Sequence, residues 1–366
     1  MSIMKSIVSI HRCPTYHIDD VQQAVERCLT DIGGIESIVK KHNRVLIKPN
    51  LLSASEPFLA ITTHPEFIRA VVRIVHRVGA KAIIGDSCYG SVRMEEVYEK
   101  TGVKRICEQE NAECIFFNKV TDWKIPLASI ALESDVIINL PKFKTHNLTI
   151  LTGGIKNMFG IVPGTQKINY HSDYPSIQEF SKLLIDILEK VKPHLTIMDG
   201  IIGLEGDGPG SAGKARNIGL ILCSRDVVAL DTVMAVMMGL DPLHIPMLRI
   251  ADVRGIGNCK MEDIEIDGES TFAKPIPGFI LPKSGIILKI PSATLKLVGR
   301  FISIMPVFKK QVCSKCGLCV KSCPKGAIVF KKNFLSLDVH RCISCLCCQE
   351  ICPRGAVKAK ICFRFK

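Results

Sequence analysis

The chain has 366 residues, 47% of them hydrophobic, with 17 Cys and a formal net charge of +13. No stretch of eighteen apolar residues occurs, so no transmembrane helix is expected, and the start (Met1 to His11) lacks the apolar core and small-residue cleavage site of a signal peptide. The basic residues have no aromatics interleaved with them, which argues against nucleic acid as a partner.

Residues 3–10 alternate weakly and read as a first strand, and Asp19 or Asp20 is placed to cap a helix to about Leu29. Arg44 to Lys48 is a short apolar strand stopped by Pro49-Asn50. Pro65 opens a helix with Phe67, Ile68, Val71, Ile74, Val75 and Val78 on one face, and Gly79 ends it. A strand at 81–85 stops at Asp86-Ser87; a helix over 93–109 then leads to a strand near 114–117. The run 135–140 reads as a fully buried strand, followed by Pro141-Lys-Phe-Lys-Thr-His146 and a Gly-rich turn with a helix over 152–160. Ser176-x-x-Glu179 is a capping box for a helix carrying Phe180, Leu183, Leu184, Ile187, Leu188 and Val191. Strands at 194–198 and 217–223 follow, and Asp226 caps a helix to about Met238. Strands and helices alternate throughout residues 1–273. That pattern predicts an α/β body whose mostly parallel sheet is covered by helices on both faces.

Four polar motifs directly follow predicted strands: Lys48-Pro-Asn50, Gly85-Asp-Ser87, Pro141 to His146, and Asp199-Gly200. In a parallel sheet all four fall on the carboxyl rim, where open α/β sheets bind ligands. The rim is rich in cations. Lys48, Lys142, Lys144, His146 and Lys156 suit a carboxylate or phosphate. Gly153 and Gly154 permit close backbone approach, with helix N–H groups aimed at an anion. Lys142, Lys144 and Lys156 are therefore expected to hold an anion, and His146 to supply a proton. Lys144 and His146 are the candidate catalytic residues. Lys48, Asn50, Asp86, Ser87, Lys142, Lys156, Asn157 and Asp199 are the candidate binding residues. Asp86, Asp199, Glu205 and Asp207 are carboxylates that could orient a His or Lys, hold a metal or act as a base; His64 is read as a helix cap. Gly208-Pro-Gly-Ser-Ala-Gly213 matches G-x-G-x-x-G, but it leads into a strand, so the dinucleotide context fails. No clear NAD, flavin or ATP signature is present.

Residues 135–160, with Leu140-Pro-Lys-Phe-Lys-Thr-His146 and Gly153-Gly-Ile-Lys-Asn-Met-Phe-Gly160, resemble the family named domain of unknown function 362. Lys48-Pro-Asn50, Gly85-Asp-Ser87 and Asp199-Gly-x-x-Gly-x-Glu-Gly-Asp-Gly208 share that resemblance, which spans about residues 40–255. It implies an α/β body, often with a ferredoxin-type tail, and little about function.

Residues 274–308 are apolar, basic and punctuated by Pro275, Pro277, Pro282 and Pro291. Ser292 is placed to cap a short helix to Met305, with Leu295, Leu297, Val298, Phe301 and Ile302 apolar and Lys296 and Arg300 among them. A segment that docks the tail on the body is the favoured reading over a helix lying on a membrane surface.

Residues 309–366 form the third unit. Cys313-x2-Cys316-x2-Cys319-x3-Cys323-Pro is followed by Cys342-x2-Cys345-x2-Cys348-x3-Cys352-Pro, the bacterial ferredoxin run written twice. In that arrangement the fourth Cys of each run serves the other cluster, because one loop cannot reach all four corners of a cube. One [4Fe–4S] cluster is thus assigned to Cys313, Cys316, Cys319 and Cys352, and a second to Cys342, Cys345, Cys348 and Cys323. Zinc sites use two Cys pairs rather than two four-Cys runs. The segment looks like a small α+β two-cluster ferredoxin. Cys347 falls outside the spacing and reads as a spare thiol. The other Cys are scattered singly, which fits reduced thiols in an anaerobic cytoplasm.

Residues 309–366 also hold 13 Lys+Arg against 2 Asp+Glu, so they carry +11 of the chain's +13. Two dianionic clusters would leave about +7, either a surface suited to an acidic electron-transfer protein of ferredoxin or flavodoxin type or one whose Lys and Arg only offset the cluster charge and solvate the domain. The expected function is an iron–sulfur oxidoreductase that passes electrons to an anionic small molecule on the rim. The alternative is an electron-delivery or cofactor-assembly protein that serves a separate metalloenzyme.

Overall fold

A computed structural model describes residues 5–88, 92–121, 123–288, 302–332 and 334–363. The body is built on a ten-stranded mixed sheet. Its strands are β1 (Ser6–Arg12), β2 (Arg44–Pro49), β3 (Lys81–Asp86), β4 (Glu113–Phe116), β5 (Val136–Leu140), β6 (Lys142–His146), β7 (Ile150–Thr152), β8 (Leu195–Gly206), β9 (Gly213–Ser224) and β10 (Ile264–Gly268). The order is β10-β1-β9-β8-β5-β2-β3-β4, with β6 and β7 added beside β8. Strands β4, β3, β2, β5 and β8 run parallel; β9 is antiparallel to β8 and β1.

Alternate residues of each central strand feed two cores. Val45, Ile47, Ile84, Ile138 and Ile197 face helices α1 (Ile18–Asp31) and α2 (Pro65–Arg77). Leu46, Ile83, Ile137 and Met198 face the other layer, which includes α5 (Ile130–Glu133), α6 (Gly154–Met158), α8 (Ile177–Lys190) and α9 (Val227–Met237). Burial of the sheet on both faces is what its near-continuous apolar strands require.

Local chemistry sets most helix starts as expected. Ser176 and Glu179 form the reciprocal capping box of α8, and Asp226 accepts from Val228 N and Ala229 N at the start of α9. Four expectations need correction. Neither Asp19 nor Asp20 caps α1: the N-cap position is His17, and both acids lie inside the first turn. The helix over 93–109 is two helices, α3 (Met94–Lys100) and α4 (Val103–Glu110), because Gly102 takes a left-handed conformation between them. The strand at 194–198 does not stop at Asp199-Gly200; β8 passes through both with a bulge before Ile202. The motif 141–146 is itself mostly strand β6, which pairs parallel with β8 from Asp199 onward, where β5 has left off. A proline at 141 breaks β5 from β6 but lets the chain continue along β8. As a result β6 and β8 project beyond the ends of β2 and β3 and leave a recess above them.

The predicted helix from Ser292 falls outside the described residues up to 301. Its last four positions, 302–305, instead belong to a strand, Ile302–Phe308, antiparallel to Val357–Phe363 at the chain's end. Cross-strand pairing with that closing strand is what holds them extended. The small domain therefore takes in part of the segment assigned to the linker. A second hairpin joins Ile328–Lys331 to Phe334–Leu337. Residues 274–281 run over the body: Ile276 N donates to Met237 O and Gly206 N to Ile280 O. Among the described residues, no helix is long and apolar enough to cross a membrane.

Candidate functional site

The eight ferredoxin-type cysteines separate into two sets of four. Cys313, Cys316, Cys319 and Cys352 line one cavity of about 330 Å³, and Cys323, Cys342, Cys345 and Cys348 line another of about 320 Å³, each partly open to solvent. The crossed pairing follows from the repeat, since each Cys-Pro end lies against the opposite loop. Around the sets, backbone N–H groups point at sulfur. Lys315 N donates to Cys313 Sγ (3.4 Å), Ala327 N to Cys323 Sγ (3.2 Å) and Ala356 N to Cys352 Sγ (3.2 Å). Four thiols around one cavity, with N–H donors aimed at them, are the donor set of a [4Fe–4S] cluster. The residues fit that group. Cys347 lines neither cavity. It is buried toward the body in a small apolar group with Ile351, Leu52, Ile168 and Cys345.

The short helix Cys347–Glu350 enters the recess at the sheet's rim. Gln349 is fully buried there. Its amide donates to Asp207 O (2.8 Å) and its carbonyl accepts from Asn147 Nδ2 (3.1 Å). The G-x-G-x-x-G loop makes the seat. A side chain at Gly208 would strike Thr145 O, and one at Gly210 would lie 2.7 Å from Glu350 O. These glycines admit a neighbouring backbone, not a dinucleotide.

Glu350 thereby becomes part of a pocket otherwise built by the body. Its walls are Asn50, Leu52, Asp86, Ser87, Cys88, Thr152, Lys156, Asn157, Phe159, Gly160, Lys167 and Glu350, around about 410 Å³ that is partly open to solvent. Of the sequence-predicted residues, Asn50, Asp86, Ser87, Lys156 and Asn157 line it. Lys48, Lys142, Lys144, His146 and Asp199 lie behind it, and each has partners within the protein.

Those partners decide what each group can do. Lys48 Nζ is 2.7 Å from Asp86 Oδ1, and both are buried. Lys142 Nζ is 2.8 Å from Asp199 Oδ2 and 2.6 Å from Tyr16 Oη. Asp199 also accepts from Tyr16 Oη (2.7 Å) and His64 N (3.0 Å). Lys144 donates to Asn50 Oδ1 and Ile61 O, both at 2.7 Å. Burial first, then the neighbouring Lys156 charge, pushes the Lys144 ammonium well below the usual lysine range. His146 Nδ1 accepts from Leu148 N and Thr149 N, which leaves Nε2 as the N–H end, 2.9 Å from Glu350 Oε1. Burial lowers the His146 imidazole to about 4. Burial alone would raise the Glu350 carboxyl, but His146 and Lys156 outweigh it and hold it well below the usual carboxylate range. A single anion site shared by Lys142, Lys144, His146 and Lys156 is therefore not assembled: β6 spreads three of them behind the wall, and only Lys156 reaches the pocket.

The helix start at Gly154 (Gly154–Met158) is also taken. Gly154 N donates to Asp231 Oδ1 (2.6 Å) and Ile155 N to Asp231 Oδ2 (2.9 Å). The Gly-Gly pair admits this carboxylate and α9, since a Cβ on Gly153 would collide with Asp231 and one on Gly154 with Val227. The anion expected at that helix end is an internal side chain. His64 does cap α2, accepting from Glu66 N (3.2 Å), while its ring stacks on Tyr16.

Lys167 and Glu350 were missed. Lys167 donates to Ser87 O, and burial lowers its ammonium to about 8, with Asp86 opposing. It sits on α7 (Gly164–Asp173), a helix with no periodicity to announce it. Glu350 did carry a signal, being one of only two acids in the basic tail.

A family model described as domain of unknown function (DUF362) matches residues 45–236, and one described as a 4Fe-4S dicluster domain matches residues 305–353. A thylakoid-associated protein of Synechocystis sp. is 34% identical over 262 residues, covering 69% of this chain and 81% of that protein. A solved structure of a Thermotoga maritima protein is 16% identical with a TM-score of 0.34 over 52% of this chain; the chain spans about half, 51%, of that structure's length.

Proposed function

The chain belongs to the family described as domain of unknown function (DUF362) and ends in a 4Fe-4S dicluster domain; from that premise we propose an iron–sulfur oxidoreductase that passes electrons to an anionic small molecule in the rim pocket. Cys313, Cys316, Cys319 and Cys352 would hold one [4Fe–4S] cluster and Cys323, Cys342, Cys345 and Cys348 a second; each would supply single electrons, and the pair the two that most organic reductions consume.

One observation carries the reading. Cys345 and Cys348 bracket Cys347, and two residues beyond Cys348 the Glu350 side chain forms the pocket wall. Cysteine set and ligand space thus share one turn of helix. Lys156 and Lys167 line the pocket as cations, with Lys48 behind them, against the carboxylates Asp86 and Glu350. An anion bound there is attracted by a positive excess in a site partly shielded from water. Lys167, near 8, holds a proton at Nζ in the neutral range and can release it to a reduced ligand. His146 does not touch the pocket; it positions Glu350 through the Nε2 contact.

The test uses the full chain with its clusters, reduced by dithionite under anaerobic conditions and mixed with carboxylates and phosphates. Reoxidation by a small anion with no second protein present is the expected result. Lys156→Ala should slow it about tenfold, the effect of one lost charge contact of about 1.4 kcal/mol, with cluster absorbance retained. Reoxidation only when a second protein is added would favour the delivery reading instead.

A further inference from the structure

The two cysteine sets face different surroundings. Cys345 lies toward the body, in the group with Cys347, Leu52 and Ile168, whereas Cys316 of the other set is exposed and the loop around it is open to solvent. Residues 309–337 contain seven lysines and no carboxylate. Of the two acids in the tail, Glu350 is buried in the pocket, so Asp338 alone offsets this charge locally. The strands Ile328–Lys331 and Phe334–Leu337 meet the loop, because Phe330 lines the same cavity as Cys313 and Cys316, and Lys310 lies over the Phe334 ring at 4.8 Å. Val312, Val329 and Phe330 stay 39–44% exposed among these lysines. An apolar centre inside a ring of one charge sign is how a transient electron-transfer interface is built.

We propose that the face made by loop 309–316 and the strands Ile328–Lys331 and Phe334–Leu337 docks an acidic electron-carrier protein, which delivers single electrons to the first cysteine set. The carrier loses one electron and the cluster site gains it; no bond forms or breaks. Electrons then enter on the solvent side and leave on the body side, through the set nearest the pocket. A protein fits better than an anionic lipid surface, because the apolar side chains remain more than half buried and give little to insert into a bilayer. The inference concerns entry alone and stands whatever accepts the electrons.

The test is stopped-flow reduction of the full cluster-loaded chain by reduced flavodoxin, followed at the cluster absorbance under anaerobic conditions. Wild-type rates should fall steeply with ionic strength. In the variant Lys310→Glu, Lys315→Glu, Lys331→Glu the low-salt rate should fall by about tenfold or more, because steering is lost. The extent of reduction by dithionite should stay unchanged, which shows the clusters remain in place. A control carrying Lys192→Glu, Lys214→Glu and Lys260→Glu changes the net charge equally on the body and should keep most of the rate. A variant rate within about twofold of wild type, or an equal loss in the control, overturns the proposal. So does flotation with phosphatidylserine vesicles that the variant loses while its flavodoxin rate is kept; that result assigns the face to lipid.

Discussion

Lys142→Met tests whether this ammonium is scaffold rather than ligand. Lys142 and Asp199 have no exposed surface, and their charges meet at 2.8 Å. Methionine replaces the stem at similar volume, so little packing is lost. What remains is a buried carboxylate without its counter-charge, still accepting from Tyr16 Oη, His64 N and Ile201 N. Removing one partner of a buried pair costs about 3–5 kcal/mol, and the three remaining donors put this variant near the lower end, about 3 kcal/mol. Asp199→Asn strands the ammonium beside Tyr16 and should cost a similar amount, about 3 kcal/mol. The double variant has neither charge, so its cost should fall short of the sum by about 1–3 kcal/mol. Urea unfolding followed by far-UV circular dichroism, on cluster-loaded protein in anaerobic buffer, measures all four corners of the cycle. Phosphate affinity should be unchanged in Lys142→Met. Costs that add within about 0.5 kcal/mol would refute the pairing. A folded Lys142→Met that binds phosphate tenfold more weakly would refute the scaffold role.

Gly153→Ala should destabilise by about 1–3 kcal/mol, read as a lower urea midpoint, because its Cβ displaces the Asp231 carboxylate from two N–H donors. Burial raises Asp231 to about 7, opposed by those N–H groups, so the folded state keeps a proton that the unfolded chain releases near 4. Its contribution is full below about 4 and is lost as pH rises through 7; wild type should lose stability relative to Asp231→Asn across that window and run parallel above it. Because Lys167 titrates near 8, phosphate affinity measured by calorimetry should decline as pH rises through 8, and Lys167→Met should remove that dependence. Gly210→Val would press on the Glu350 carbonyl and unseat the small domain. Cluster absorbance should persist, while reoxidation by small anions is lost and trypsin cuts after Lys283 faster, because Lys283 loses its contact with Ala359 O.

Much of the fold and part of the site could be read from the chain alone. Apolar runs ended by Pro49, Asp86 and Pro141 located the parallel strands, because a strand buried on both faces has to be apolar along its whole length. The cysteine spacing located both ligand sets, because loop reach around a cube is a local constraint. Helix caps at Ser176 and Asp226 were legible for the same reason: donor and acceptor are two or three residues apart. What each rim lysine does was not legible. Lys48 and Lys142 look alike in sequence to Lys156, and only the carboxylates that fold against them, Asp86 and Asp199, separate structural cations from the one that lines the pocket. Asp231 filling the helix end at Gly154, and Glu350 crossing some 200 residues to meet His146, are contacts of the same kind. Sequence therefore determined which groups exist and which short loops they ride on. Tertiary structure decided which charges are already neutralised, since that depends on distances between segments whose separation along the chain carries no information about their separation in space.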